Sequence, residues 1–102
     1  MKKIQGSHNY YVYIITNKIK SVLYIGVTND LKQRIYYHSN PEANSKHFTH
    51  KYNCKYLLYF EHYFSIEAAI EREKQLKKWS RKKKEFLINQ KNSSWCFLND
   101  DL

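Results

Sequence analysis

Two kinds of hydrophobic pattern divide this chain: short runs dense in aromatic and β-branched residues, and longer stretches in which apolar positions recur every three or four residues. Tyr10-Tyr11-Val12-Tyr13-Ile14-Ile15-Thr16 is of the first kind and predicts a buried strand. The polar segment Asn17 to Ser21 has hairpin length, and Val22 to Thr28 repeats the strand composition, so the two runs predict an antiparallel pair. Tyr56 to Tyr63 supplies a third strand. Asn29 and Asp30 can accept unpaired backbone N–H groups of a first helical turn, which predicts a helix from Leu31 to His38. Asn40 to Ser45 ends it and opens a loop that runs to about Asn53. Ser65 as a cap and Glu67 as a first-turn acid predict a second helix from Ile66 to about Trp79. Ser80 offers a cap or a break before a third helix over Arg81 to Lys91. The pattern is that of an α+β domain, a three-stranded antiparallel sheet flanked by about three helices.

Periodicity also says which side chains share a face. Alternation puts Tyr11 and Tyr13 on one side of the first strand and Val12 and Ile14 on the other; in the second strand it separates Tyr24 and Gly26 from Leu23, Ile25 and Val27. Tyr13 and Tyr24 therefore face a common side, as core aromatics or as site residues. Gly26 is one of only two glycines, and inside a strand it implies a close approach. The notch beside Tyr24 admits a phosphate or packs against a helix. On the first helix, a step of about 100° per residue gathers Leu31, Arg34, Ile35 and His38. An inward arginine needs an anion, either a buried carboxylate or a bound phosphate. On the second helix the apolar stripe runs through Ile66, Ala69, Ile70 and Leu76; Glu73 projects between Ala69 and Ile70 while Glu67 and Glu71 turn away. Glu73 either neutralises Arg34 within the fold or holds a divalent cation, Mg²⁺ or Mn²⁺, with waters completing the shell.

Charge narrows the partner. In a chain of 102 residues, 18 Lys and Arg against 9 Asp and Glu leave a net charge of +9, which favours a polyanion. Nucleic acid leads an anionic membrane surface, because no run approaches the roughly 18 apolar residues of a spanning helix. Without an opening signal peptide, a cytoplasmic location is expected. Lys74, Lys77, Lys78, Arg81, Lys82, Lys83 and Lys84 form a basic cluster next to Glu73, either a solvated face or a surface for phosphates flanking a scissile bond. Trp79 within it reads as a core anchor. Cys54 and Cys96 have no metal-type spacing and are expected to be reduced thiols; a zinc site from His47, His50 and Cys54 lacks a fourth ligand. One domain is expected at this length: a flexible segment 1–9, a folded unit 10–95, and a tail 96–102 that starts as Trp95 and Phe97 fold back on the core.

Tyr11-Val12-Tyr13, then Tyr24-Ile25-Gly26, Arg34, His38 and Ile70-Glu71-Arg72-Glu73, in that order, resemble the GIY-YIG nuclease superfamily over about Tyr10 to Trp95. The likeness is greatest to its small stand-alone proteins, in which a segment like Lys77-Lys78-Trp79 follows the glutamate. The resemblance implies a metal-dependent endonuclease. Tyr13 and Tyr24 match the two motif tyrosines, Arg34 the catalytic arginine, His38 a histidine or tyrosine position, and Glu73 the metal-binding glutamate. It also implies a site asparagine, for which Asn92 is preferred over Asn89. Two departures stand out: Tyr11 replaces the first motif's glycine, and Val27 stands where some relatives have a lysine. The resulting expectation is DNA hydrolysis, structure-selective and in repair or processing, with a partner protein supplying specificity. The alternative is a catalytically inactive module of the same fold that binds DNA or structured RNA.

Overall fold

The computed structural model describes residues 9–40 and 51–102. Three strands, β1 (Tyr10–Thr16), β2 (Leu23–Thr28) and β3 (Tyr56–Tyr63), form one antiparallel sheet in the order β2-β1-β3. Three helices accompany it: α1 (Leu31–His38), α2 (Ile66–Lys78) and α3 (Arg81–Lys91), followed by a 3₁₀ turn at Asn99–Asp101. The α+β class and all three strands agree with the sequence pattern. The zinc alternative rests on His47 and His50, which lie outside the described residues.

The central strand β1 is buried on both faces, which explains its unbroken apolar run. Val12 and Ile14 join Ile25, Leu58, Ala69, Leu76 and Ile88 in one core beneath α2 and α3. Tyr13 and Ile15 join Leu31, Ile35, Cys54 and Leu57 in a second core on the α1 side. Between β1 and β3 the register slips at Ile14/Ile15, where Tyr59 and Leu57 are the successive partners. Leu58 is the extra residue of this bulge, and both Leu58 and Tyr59 belong to the α2 side.

Local chemistry fixes the element ends. The Asn17 side-chain oxygen accepts from the backbone N–H groups of Ser21 (2.9 Å) and Val22 (3.1 Å), folding the hairpin between β1 and β2. Asp30, Ser65 and Ser80 each accept a backbone N–H three residues on, capping α1, α2 and α3. Helix α2 stops at Lys78, one residue before the expected end, because Trp79 is extended and packs against the α2-side core. The apolar stripe of α2 is also shorter than its spacing suggests. Ile66 remains 43% exposed at the first helical position, and the buried stripe starts at Ala69.

The last residues close the outer edge of β3. Leu98 N–H donates to Leu57 O, Asn99 Oδ1 accepts from Leu57 N–H, and Asn99 Nδ2 donates to Lys55 O, each at 2.8 Å. One asparagine thus supplies the pairing of a further strand. Phe97 stacks on Tyr56 with ring centroids 4.2 Å apart, and Trp95 packs on the α2-side core. Both cysteines are free; burial pushes the Cys54 thiol up to about 11, which keeps it an unreactive core residue.

Candidate active site

The register of β1 and β2 sets Tyr13 opposite Gly26. A Cβ at Gly26 would lie within van der Waals contact of Tyr13 Cζ and Oη, so the glycine is required by the tyrosine ring that lies over it. The expectation of an open notch for a phosphate is therefore corrected: its own cross-strand neighbour fills the space. Lying over Gly26, the Tyr13 phenol extends to His38 Nε2, with which it shares a hydrogen bond of 2.9 Å.

His38 is buried in the last turn of α1. Three tyrosine rings surround it, Tyr13 and Tyr24 at 5.8 Å and Tyr37 at 5.7 Å between centroids. Tyr24 lies one alternation step from Gly26 on β2 and is the more accessible of the two motif tyrosines. One turn before His38, the half-buried Arg34 lays its guanidinium 5.8 Å from the Tyr37 ring centroid. It has no ion pair with a carboxylate among the described residues, so the expected pairing with Glu73 is absent there.

Glu73 approaches the same place from α2. Its side chain is 16% exposed and forms an ion pair with Lys77 at 3.4 Å. The Tyr13 phenol registers the whole assembly. Burial raises its pKa above the ordinary phenol range, the charges of Tyr24 and Glu73 add to the rise, and the charge and hydrogen bond of Arg34 oppose it. His38 thus bonds the Tyr13 phenol directly, Tyr24 packs on His38, and Arg34 and Glu73 act on the phenol through their charges. Among the described residues no group of three or more His, Cys, Asp or Glu forms a metal cage. A single mostly buried carboxylate fits Mg²⁺ or Mn²⁺, which keep several waters and take the remaining oxygens from phosphate.

Other candidates have different roles. Asn92 donates to Leu58 O and Cys96 O and accepts from Cys96 N–H, so all its capacity goes to fastening the tail. Asn89 accepts from the Trp95 indole. Both asparagines thus have bonds that hold the C-terminal segment in place. The Arg81 guanidinium donates to Ser21 O and Lys20 O at 2.7 Å and to Glu85 at 3.0 Å, clamping α3 to the hairpin. Lys83 lies over Trp79 at 4.3 Å, while Lys74 and Lys78 line a separate hollow with Glu71 and Arg72.

One charged network was missed by sequence reasoning. Arg72 donates to both oxygens of Glu61 at 3.0 Å, and Tyr59 and Tyr63 also donate to that carboxylate. Burial raises the Glu61 pKa, but the Arg72, Tyr59 and Tyr63 hydrogen bonds outweigh it and hold the carboxyl below its usual range. The alternation Tyr59, Glu61, Tyr63 was the available signal: a carboxylate midway along a face covered by a helix requires a cation.

Comparison with known proteins decides the family. Residues 9–86 match the profile described as the GIY-YIG catalytic domain. The chain belongs to the GIY-YIG family. Within it, the chain is 32% identical over 83 residues to a UPF0213 protein of Bacillus pumilus strain SAFR-032, covering 81% of this chain and 82% of that protein. It is 31% identical over 88 residues to the UPF0213 protein YazA of Bacillus subtilis strain 168, covering 86% of each. The solution NMR structure of the UPF0213 protein BH0048 of Bacillus halodurans superposes with a TM-score of 0.54 at 32% identity, over 85% of this chain and 89% of that one. The GIY-YIG assignment carries the nuclease fold and points to nucleic acid as partner. No helix among the described residues is long and apolar enough to cross a membrane.

Proposed function

We propose that this GIY-YIG protein is a divalent-metal-dependent endonuclease that hydrolyses DNA phosphodiester bonds. The observation that carries the reading is the gathering of Arg34, Tyr24, His38 and Glu73 around the buried Tyr13 phenol. Tyr13 keeps its proton and positions His38, which packs against the Tyr24 ring. Tyr24, the accessible phenol, orients the attacking water in line with the phosphorus and serves as its general base. Arg34 binds the phosphate oxygens on which negative charge grows, and its lack of a carboxylate partner among the described residues leaves that charge available. Glu73 would hold the divalent cation, which when bound would supply positive charge to the phosphate in the transition state.

The catalytic unit is taken as residues 10–95, with 96–102 as the strap on β3. Building the site consumes most of so small a surface, so selection rests on DNA structure or on a partner protein, in repair or processing in the cytoplasm. Cleavage of branched, nicked and single-stranded DNA with Mg²⁺ or Mn²⁺ tests the reading. Arg34→Ala and Glu73→Ala are each expected to abolish measurable cleavage while leaving folding intact. Cleavage surviving both changes overturns the assignment; binding without cleavage by the unmodified protein identifies a binding module instead.

A further inference from the structure

The basic run from Lys74 to Lys84 is uniform in sequence but divided in space. Lys74 and Lys78 lie beside Glu71 and Arg72, and Arg81 is committed to the hairpin. Lys77 and Lys84, from different helices, converge instead on a hollow beside Tyr24, whose other walls are Leu23 and Ile25. Its volume of about 230 Å³ is below that of pockets that enclose small molecules, roughly 300–1,000 Å³, and its two ammonium groups suit a phosphate. The clamp from Arg81 to Lys20 O and Ser21 O fixes the start of α3, and Lys84 lies on the same helix side as Arg81, three residues on. Lys77 is held by Glu73, but its side chain is 52% exposed, and an ion pair so exposed is readily exchanged.

We infer that Lys77 and Lys84 form a phosphate subsite that holds a backbone phosphate neighbouring the scissile one, so that the nucleic-acid strand passes from Arg34 over Tyr24 and across the outer edge of β2. This rests on the endonuclease reading for the identity of the scissile phosphate. Lys77 leaves Glu73 for the phosphate as Glu73 takes up its cation, so the two sites fill together. The subsite also sets a cation beside Tyr24 from a helix, whereas the Val27 side chain packs on the α2-side core.

The test is fluorescence anisotropy of a labelled single-stranded DNA oligonucleotide across a NaCl series, in Ca²⁺ to permit binding without cleavage. Each phosphate contact contributes about 0.7 to the slope of log affinity against log salt for a single strand. Lys77→Ala with Lys84→Ala is expected to reduce the slope by about 1.4 and to weaken binding at least tenfold near physiological salt. Lys18→Ala with Lys91→Ala removes the same charge from the hairpin tip and the far end of α3, and is expected to change the slope by less than half as much. Equal losses in the two double variants overturn the subsite and leave a diffuse basic field. A cleaving wild-type protein with unaltered binding in the Lys77/Lys84 variant also overturns it while the endonuclease reading stands. The predicted slope change in a protein that cleaves nothing retains the subsite and removes the endonuclease reading. Circular dichroism of each variant separates loss of binding from loss of fold.

Discussion

Arg34 and Arg72 lie on helices that flank opposite faces of one sheet, and they differ in what surrounds their charge. Each guanidinium nitrogen of Arg72 has a partner: two bonds to Glu61 and one to Gln75 at 2.7 Å, with the Trp79 ring 5.2 Å away. Glu61 in turn is saturated by Arg72, Tyr59 and Tyr63. Arg34 has aromatic rings and a phenol about it, and no ion pair with a carboxylate among the described residues. Two arginines of the same chain thus separate into one that holds the fold and one that is free to take an anion. Chemical type did not distinguish them; the inventory of partners did.

The largest effect that tests this contrast is on activity. Arg34→Ala should lower kcat by about 10²–10³-fold, the usual loss when a preorganised transition-state donor is removed, with a shift in unfolding midpoint too small to explain it. Steady-state cleavage and thermal unfolding of the same preparation measure both. Glu61→Ala should do the reverse. It leaves Arg72 uncompensated at side-chain exposures of 22% and 12% for the pair, and should cost about 3 kcal/mol in urea unfolding, the lower end for buried pairs. Cleavage per folded molecule should be retained, and a loss comparable to that of Arg34→Ala would dissolve the distinction.

Gly26→Ala is expected to be intermediate, because the added methyl meets a Tyr13 ring held from behind by His38. Overpacking of this kind costs about 1–3 kcal/mol, and displacement of Tyr13 should disturb cleavage more than binding. A fully stable and active alanine variant would show that the ring is free to move. The smallest effect is the pH dependence that the Arg72 side contributes. Glu61 has its folded pKa below the unfolded value of 4.5, so its stabilisation is complete above that pH and is lost as pH falls through the lower folded value. Tyr63 is raised to about 12 by burial and by Glu61 from 10.0, so its contribution is complete below pH 10 and lost between 10 and about 12. Unfolding midpoints across both limbs should flatten in Glu61→Gln relative to the parent.

The same contrast explains what was legible in the sequence. Strand and helix spans followed from local period, and the caps Asp30, Ser65 and Ser80 from side chains that bond their own helix. Arg34 and His38 were located by helical phase, which needs no knowledge of what lies opposite. The Glu61–Arg72 pair needed such knowledge, since the bulge at Leu58 decides which face Glu61 joins and alternation alone does not reveal a bulge. Gly26 was recognised as a place of close approach, but whether phosphate, helix or ring came close depended on its register with Tyr13. The partners of Asn92 were hidden for a similar reason: Leu58 comes from β3 and Cys96 from the tail, not from its own helix.

The ring of Tyr13 over Gly26 has a consequence for how this chain can change. The two positions are thirteen residues apart in sequence, yet they occupy one volume, so neither has an independent list of tolerated amino acids. A library varied at both should show sign epistasis, with side chains at 26 tolerated only alongside a smaller residue at 13. Because that smaller residue loses the hydrogen bond to His38, the paths that restore stability lead away from activity.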